Sequence, residues 1–257
     1  MKKWYLFNCI LAFALSASAQ GSLQIRQASK GKGLLYNSES AMLFEGKTNG
    51  FALGYQWGKL KTYYKTTFYR VDLGFLRHPK ETRVSPTGVT IPTNSFFYGK
   101  ENSFWQLRGG WGEKRYFSEK DANRGVAVGL SYSFGPTLGL IKPYYLNLTR
   151  NESTTIRLPQ NYIKYTAQTA ADFLNKEKIN GAAPFLTGIK ETSVSPGAHA
   201  NIGIHLDWGA YEDFVRSIEA GIAADVFFKK VPILIAKQEN RLYFVNLYVH
   251  LQIGKRK

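Results

Sequence analysis

The chain has one cysteine, Cys9, inside its N-terminal apolar segment, so the rest of the sequence has no thiol for a disulfide, a zinc finger or a thiolate nucleophile. Beyond that segment, no apolar run approaches the ~18 residues that a membrane-crossing helix needs. Histidine is scarce, and no glycine-rich phosphate loop, zinc-ligand spacing or nucleophile-elbow sequence occurs. These absences exclude helical membrane proteins and the common nucleotide-dependent, zinc and serine-hydrolase chemistries. Acid is also sparse: 18 Asp and Glu stand against 34 Lys and Arg, a formal charge of +16.

A strongly basic balance raises nucleic acid as a partner. However, the cations are scattered over apparent turns (Lys59, Lys61, Lys114, Arg115, Lys229, Lys230) and the terminal Lys255, Arg256 and Lys257. They do not stripe one face with interleaved aromatics, so no nucleic-acid partner is expected, and positive rims suit a protein set between anionic lipid surfaces.

What the sequence does have is alternation. From Gly125 to Leu148 the even positions read Val126, Val128, Leu130, Tyr132, Phe134, Pro136, Leu138, Leu140, while the odd ones are mostly Gly, Ala, Ser and Thr. A period of two is a strand signal, and a helix here would have to carry four glycines and two prolines. The same grammar recurs at Phe51–Trp57, Tyr69–Phe75, Trp105–Trp111, Ile202–Trp208, Ile218–Phe228 and Tyr243–Ile253, with charges on the small face and aromatics at the ends of the apolar one. Large apolar groups on one face and small or charged groups on the other describe a transmembrane β-barrel with lipid outside and a narrow polar lumen inside.

Met1–Ala19 reads as a signal peptide, with Lys2 and Lys3, an apolar stretch, and Ala17-Ser18-Ala19 as a cleavage site. Residues 20–257 then form a single all-β domain, an antiparallel up-and-down barrel. Its strands are expected at about 34–45, 50–58, 63–76, 103–113, 123–148, 197–208, 214–228 and 241–254. Ten strands is the alternative, reached by breaking the long strand at Gly135-Pro136 and adding a weak one at the start. With eight strands, both termini share the periplasmic side and the two long insertions, 77–101 and 150–196, share the outer side. The second insertion is expected to hold a helix over 162–176, with Ile163, Ala167, Ala170, Ala171 and Leu174 on one face as a protein-docking surface.

By parity, Arg70, Asp72, Arg108, His199, His205, Asp207, Glu219, Asp225 and His250 all face the lumen. His199, His205, Asp207 and His250 could in principle bind a metal or activate water. The competing reading is a structural plug in which buried charges pair, and it is the one adopted, with no metal, cofactor or catalytic residue expected. Trp57, Trp105, Trp111, Trp208 and Tyr132 read as girdle residues at the lipid–water boundary. His78 is the one histidine expected at a rim, where a barrel hydrolase would need it.

With the alternating segments, the SFGPTLGLIKPYYL run, RHPKE at Arg77–Glu81 and APFLTGIKE at Ala183–Glu191 in view, the chain resembles the small outer-membrane β-barrels of Bacteroidota-type bacteria, an eight-stranded OmpA/OmpX-like barrel family of unassigned activity. The resemblance implies fold and compartment, not chemistry. One departure is the end of the chain, Gly254-Lys255-Arg256-Lys257, where many such barrels end on an aromatic. The expectation is a non-enzymatic integral outer-membrane barrel in contact with outer-membrane lipid. It would serve as a structural or docking subunit of a multi-protein machine such as barrel assembly or protein secretion, with protein partners on the two long loops. The alternatives are a small solute channel and a rim hydrolase acting on lipid or peptide.

Overall fold

The structure, a computed structural model, describes residues 36–86, 94–117, 126–148, 161–208, 213–235 and 240–257. The expected signal peptide and parts of both long loops lie outside the described residues. In chain order the strands are β1 (Ser38–Lys47), β2 (Gly50–Thr62), β3 (Lys65–Leu76), β4 (Thr82–Val84), β5 (Phe96–Tyr98), β6 (Asn102–Tyr116) and β7 (Ala127–Pro143). They continue with β8 (Tyr145–Leu148), β9 (Tyr162–Lys164), β10 (Ile179–Ala182), β11 (Ser193–Asp207), β12 (Phe214–Phe227) and β13 (Tyr243–Arg256), and one short α-helix, α1, spans Ala170–Leu174.

Eight of these close into an antiparallel barrel in the order β1-β13-β12-β11-β7-β6-β3-β2, each strand paired with its neighbours in the chain and β1 with β13. Because the count is even, the start of β1 and the end of β13 lie at one end of the barrel. The connections 77–101, 144–192 and 228–242 all lie at the other, together with the two-residue turn between β1 and β2. We refer to these as the terminal end and the crown end.

The long strand runs through Gly135-Pro136 without turning. Pro136 has no N–H to donate, and the β6–β7 ladder skips Gly109 and Gly110 opposite it, resuming in the same register from Arg108↔Thr137 to Trp111↔Phe134. Glycine is required at 135 because a Cβ there would run into the carbonyl oxygen of Gly109. The expected strand 123–148 does end early, however. Past Pro143 the Tyr144 N–H turns to the Glu101 carbonyl (3.0 Å), and β8 leaves the barrel to pair with β9 and β10.

The outer wall is apolar and exposed: Leu247 keeps 62%, Val245 59% and Met42 57% of its surface. Such side chains cover the whole wall, far more than the few hundred Å² that a soluble monomer leaves to water. On β13 the outward residues from Tyr243 to Ile253 span ten residue steps, about 25 Å along the axis at ~3.3 Å per residue and a tilt of ~40°, the height of a lipid-facing band. Aromatics edge the band. Phe51, Phe75 and Trp105 cluster at the crown end with centroids 4.9–6.4 Å apart, and Tyr55, Trp57 and Tyr69 stack at 6.2 Å toward the terminal end.

At the crown end the lumen is capped by Leu76, Phe104, Ile141, Phe227 and Phe244 from the barrel, with Val231 and Ile233 folded in from the last connection. Phe104 meets Phe227 edge-on at 5.2 Å and stacks on Phe244 at 5.8 Å. Asn240 Oδ1 accepts from the Ile233 and Leu234 amides, and Asn102 Nδ2 donates to the Pro232 carbonyl at 2.6 Å.

Outside the cap, the β4–β5 hairpin and the sheet β10-β8-β9 build a crown with its own apolar centre: Phe96, Leu146, Leu148, Phe173 and Ile179. This corrects the expected helix over 162–176. Tyr162–Lys164 is the strand β9, Ala170–Leu174 is the α-helical part, and Lys176 opens a 3-10 turn to Lys178. The expected shared face does not form: Ile163 packs partly against the crown centre, Ala170 is half-buried, and Ala167, Ala171 and Leu174 are exposed. The side chain that buries is Phe173, with Tyr165 edge-on at 5.7 Å. A fully buried aromatic outcompetes a face built on three alanines because it removes far more apolar area from water.

Candidate functional site

Two places concentrate chemistry: the lumen, and a cleft on the outside of the barrel where the crown meets the wall.

All nine parity-assigned residues sit in the lumen, each no more than 4% exposed. They occur in tiers. In the tier nearest the crown, Arg108 Nε donates to Asp72 Oδ1 at 2.5 Å and its Nη2 to Glu45 Oε1 at 2.9 Å, with Asp225 4.0 Å from Nη1. Arg70 lies beside the same Asp72 (3.4 Å) and Glu45 (3.8 Å), and Lys47 is 3.4 Å from Glu45. In the middle tier Glu219 is approached by His205 Nδ1 at 3.2 Å, His250 Nε2 at 3.3 Å and the Tyr248 hydroxyl at 2.6 Å, while His250 Nδ1 faces Glu45 at 3.5 Å. Toward the terminal end Lys114 donates to Glu39 and to Gln252, and Arg256 Nη2 donates to Asp207 at 2.5 Å.

His199 stands apart from the other two histidines, its Nδ1 3.0 Å from the Thr137 hydroxyl. Among the described residues no three His, Asp or Glu side chains are arranged to hold a metal ion. What the arrangement does chemically is neutralise itself. Among the described lumen residues, Lys47, Arg70, Arg108, Lys114 and Arg256 face Glu39, Glu45, Asp72, Asp207, Glu219 and Asp225, with His250 between two carboxylates. Buried charges persist only when paired and hydrogen-bonded, and breaking one pair strands its partner.

Parity reasoning missed the hub of this network. Glu45 touches Arg70, Arg108, Lys47 and His250 at once. It alternates with the exposed Met42 and Phe44, so the face was readable. Lys114 and Arg256 correct a second expectation: neither is a rim charge. β6 and β13 extend past the expected ends, to Tyr116 and Arg256, and carry both side chains inward. The lumen also holds more bulk than its small-residue strand implied. β7 gives it only Ala127, Gly129, Ser131, Ser133, Gly135, Thr137 and Gly139, and the space they leave accommodates Arg70, Arg108, Lys114 and Tyr248.

His78 lies in the turn just past the crown end of β3 but is only 3% exposed, so it is not open to solvent as a rim hydrolase would need. Its Nδ1 accepts the Lys80 amide while Glu81 Oε1 accepts the His78 amide, which fixes the turn after β3. Glu81 then pairs with Lys100 at 2.9 Å. Burial pushes the Lys100 ammonium below its usual range, opposed by the Glu81 carboxylate.

The cleft, about 330 Å³, lies between the aromatic cluster Phe51, Phe75 and Trp105 and the segment 183–187. That segment is held against the barrel by Lys142, whose Nζ donates to the Phe185 (2.7 Å) and Thr187 (3.0 Å) carbonyls. Gly188 turns it at φ 79°, and a Cβ there would strike the Tyr145 ring. Glu191 then closes it, accepting from Tyr145 Oη (2.9 Å) and Lys164 Nζ (2.6 Å), and these bonds hold its carboxyl below the ordinary 4.5. The result is a hook with Phe185 against Trp105 (5.8 Å) and with Phe185, Leu186 and Ile189 at 59%, 71% and 50% exposure.

Two solved structures match the chain at low identity. Neisserial surface protein A matches at 10% identity and a TM-score of 0.35 over 86% of this chain and 93% of its own. The N-terminal β-barrel domain of Pseudomonas aeruginosa OprF matches at 10% identity and 0.32 over 86% and 98%. No family model and no curated protein matches the sequence.

Proposed function

We propose that the protein is an integral outer-membrane barrel that does not conduct, does no chemistry, and serves as a membrane-anchored docking subunit of a larger assembly, with the crown on the outer side. The observation that carries this reading is the division of labour between the lumen and the crown. The lumen is filled by paired charges and capped by Phe104, Phe227 and Phe244, whereas the connections at the crown end fold around a separate apolar centre. A pore would keep its axis open, and a hydrolase would place a nucleophile and base at an accessible rim. A structured crown built well beyond the length needed to join strands is what a binding platform requires.

The test is to replace 161–182, which spans β9, α1 and β10, with a Gly/Ser linker. Loop length costs a barrel little, so the variant should keep the gel shift between unboiled and boiled samples yet lose the proteins that co-purify with the wild type from its own membrane. Co-purification unchanged by the linker overturns docking through the crown. Steady single-channel conductance of the wild type in planar bilayers would favour the small-channel reading instead.

A further inference from the structure

The cleft beside the hook has no part in the docking reading, and its make-up indicates a different kind of ligand. Its floor is the aromatic cluster Phe51, Phe75 and Trp105, which continues directly into the lipid-facing wall. Phe185 forms the opposite lip, so the groove opens sideways into the bilayer at the crown-end aromatic belt. Above this apolar floor the lining turns cationic. Lys142 Nζ donates to two backbone carbonyls and lies 5.0 Å from the Phe185 ring centroid, and Arg83 Nε donates to the Ser95 hydroxyl. Among the described residues neither has a carboxylate partner, in contrast to Lys100, which is neutralised by Glu81. Arg77 adds a third cation at the edge, 5.7 Å from the Phe75 ring centroid and 5.6 Å from that of Phe97.

An apolar slot continuous with the hydrocarbon, topped by unneutralised ammonium and guanidinium groups, matches an amphiphile whose chain lies in the membrane and whose anionic head sits at the surface. From this we propose that the cleft binds one phosphate-bearing lipid of the leaflet on the crown side. An acyl chain lies on Phe51, Phe75 and Trp105 beneath Phe185, and the phosphate is held by Lys142 and Arg83. The hook's exposed Phe185, Leu186 and Ile189 are covered by the same leaflet. The headgroup follows from the charge: a zwitterionic head leaves the cations only partly compensated, while a phosphate monoester supplies the acceptor oxygens both need.

The full-length protein, purified in a neutral detergent, is examined by native mass spectrometry with phosphatidic acid or with phosphatidylcholine of the same chains. A single phosphatidic acid should be retained at least about tenfold more strongly than phosphatidylcholine, the loss expected when charge-assisted hydrogen bonds are forgone. Arg83→Gln should abolish most of that preference, and Phe185→Ser should weaken both lipids. Lys190→Gln, a change of equal charge on the hook outside the cleft, should alter neither. Excess glycerol phosphate should not displace the lipid; displacement would mean that the site reads free phosphate, and would overturn the lipid assignment. Equal retention of the two lipids, or an unchanged preference in Arg83→Gln, overturns the proposal, as does a disulfide between copies at Phe185→Cys in place of bound lipid. The heat-dependent gel shift, run on every variant, separates loss of the barrel from loss of the site.

Discussion

The lumen and the crown both join residues far apart in the chain, yet they follow opposite rules. In the lumen the strand pleat decides everything: each residue's face is fixed by parity, and the charges that point inward must find one another in a space a few side chains wide. In the crown no repeat operates. Phe96, Leu146, Phe173 and Ile179 come from four separate elements and meet only because the barrel brings their chain ends to one rim. The lumen therefore depends on electrostatic completeness and the crown on apolar packing, and substitutions should separate the two.

The sharpest break is at the hub. Glu45→Ala leaves Arg108, Arg70 and Lys47 sharing fewer acceptors in a buried site, and should cost about 3–5 kcal/mol. Urea unfolding from lipid vesicles would measure it, and the crown's resistance to protease at low urea should be unaffected. A loss below about 1 kcal/mol would mean the lumen is not organised around Glu45.

The wall is tested next. Leu247 sits outward near the middle of β13, where Leu247→Arg should cost about 2–4 kcal/mol in the same assay. Leu186→Arg, at 71% exposure on the hook beside the crown-end aromatics, should cost much less, as charges near the edge of the lipid-facing band do. Equal costs would place the hook at the depth of the barrel's midpoint.

On the crown side, Ile179→Val removes one methylene from a residue only 2% exposed. It should cost about 0.5–1.5 kcal/mol of crown stability. Limited proteolysis within 161–182 should accelerate while the barrel's unfolding midpoint stays put, and a matching shift in that midpoint would show the two regions to be one cooperative unit.

The smallest effect is a pH dependence. Glu191 is held below its ordinary 4.5 by the hydrogen bond from Lys164 and then that from Tyr145. A depressed carboxyl contributes stability that is present above the unfolded value and is lost as pH falls through the folded one. Protease protection of the hook should thus be flat from pH 7 to about 5 and decline below about 4.5, and Glu191→Gln should flatten the decline. A decline beginning near pH 6.5 would point to a histidine instead.

Much of the lumen was legible without coordinates. Arg70, Asp72, Arg108, Asp207, Glu219 and Asp225 each alternate with a large apolar neighbour, and alternation alone assigns the face. The charges near strand ends were harder. Lys114 stands in the charged run Glu113-Lys114-Arg115 and Arg256 in a basic tail, so both read as turn residues, because only the ladder shows how far a strand continues. In the crown, Phe173 was overlooked among the alanines because helical periodicity was the only signal at hand, and its packing partner Leu146 lies in a separate strand.

By itself the sequence determined the barrel, the identity of its lipid-facing side and most of its inward charges, since a period of two fixes side-chain direction wherever a strand forms. The tertiary structure alone decided which charges pair across the lumen, where β7 gives way to β8, and that the hook lies against Trp105 to form a cleft. Those depend on distances between residues far apart in the chain, which strand closure sets and no local pattern encodes.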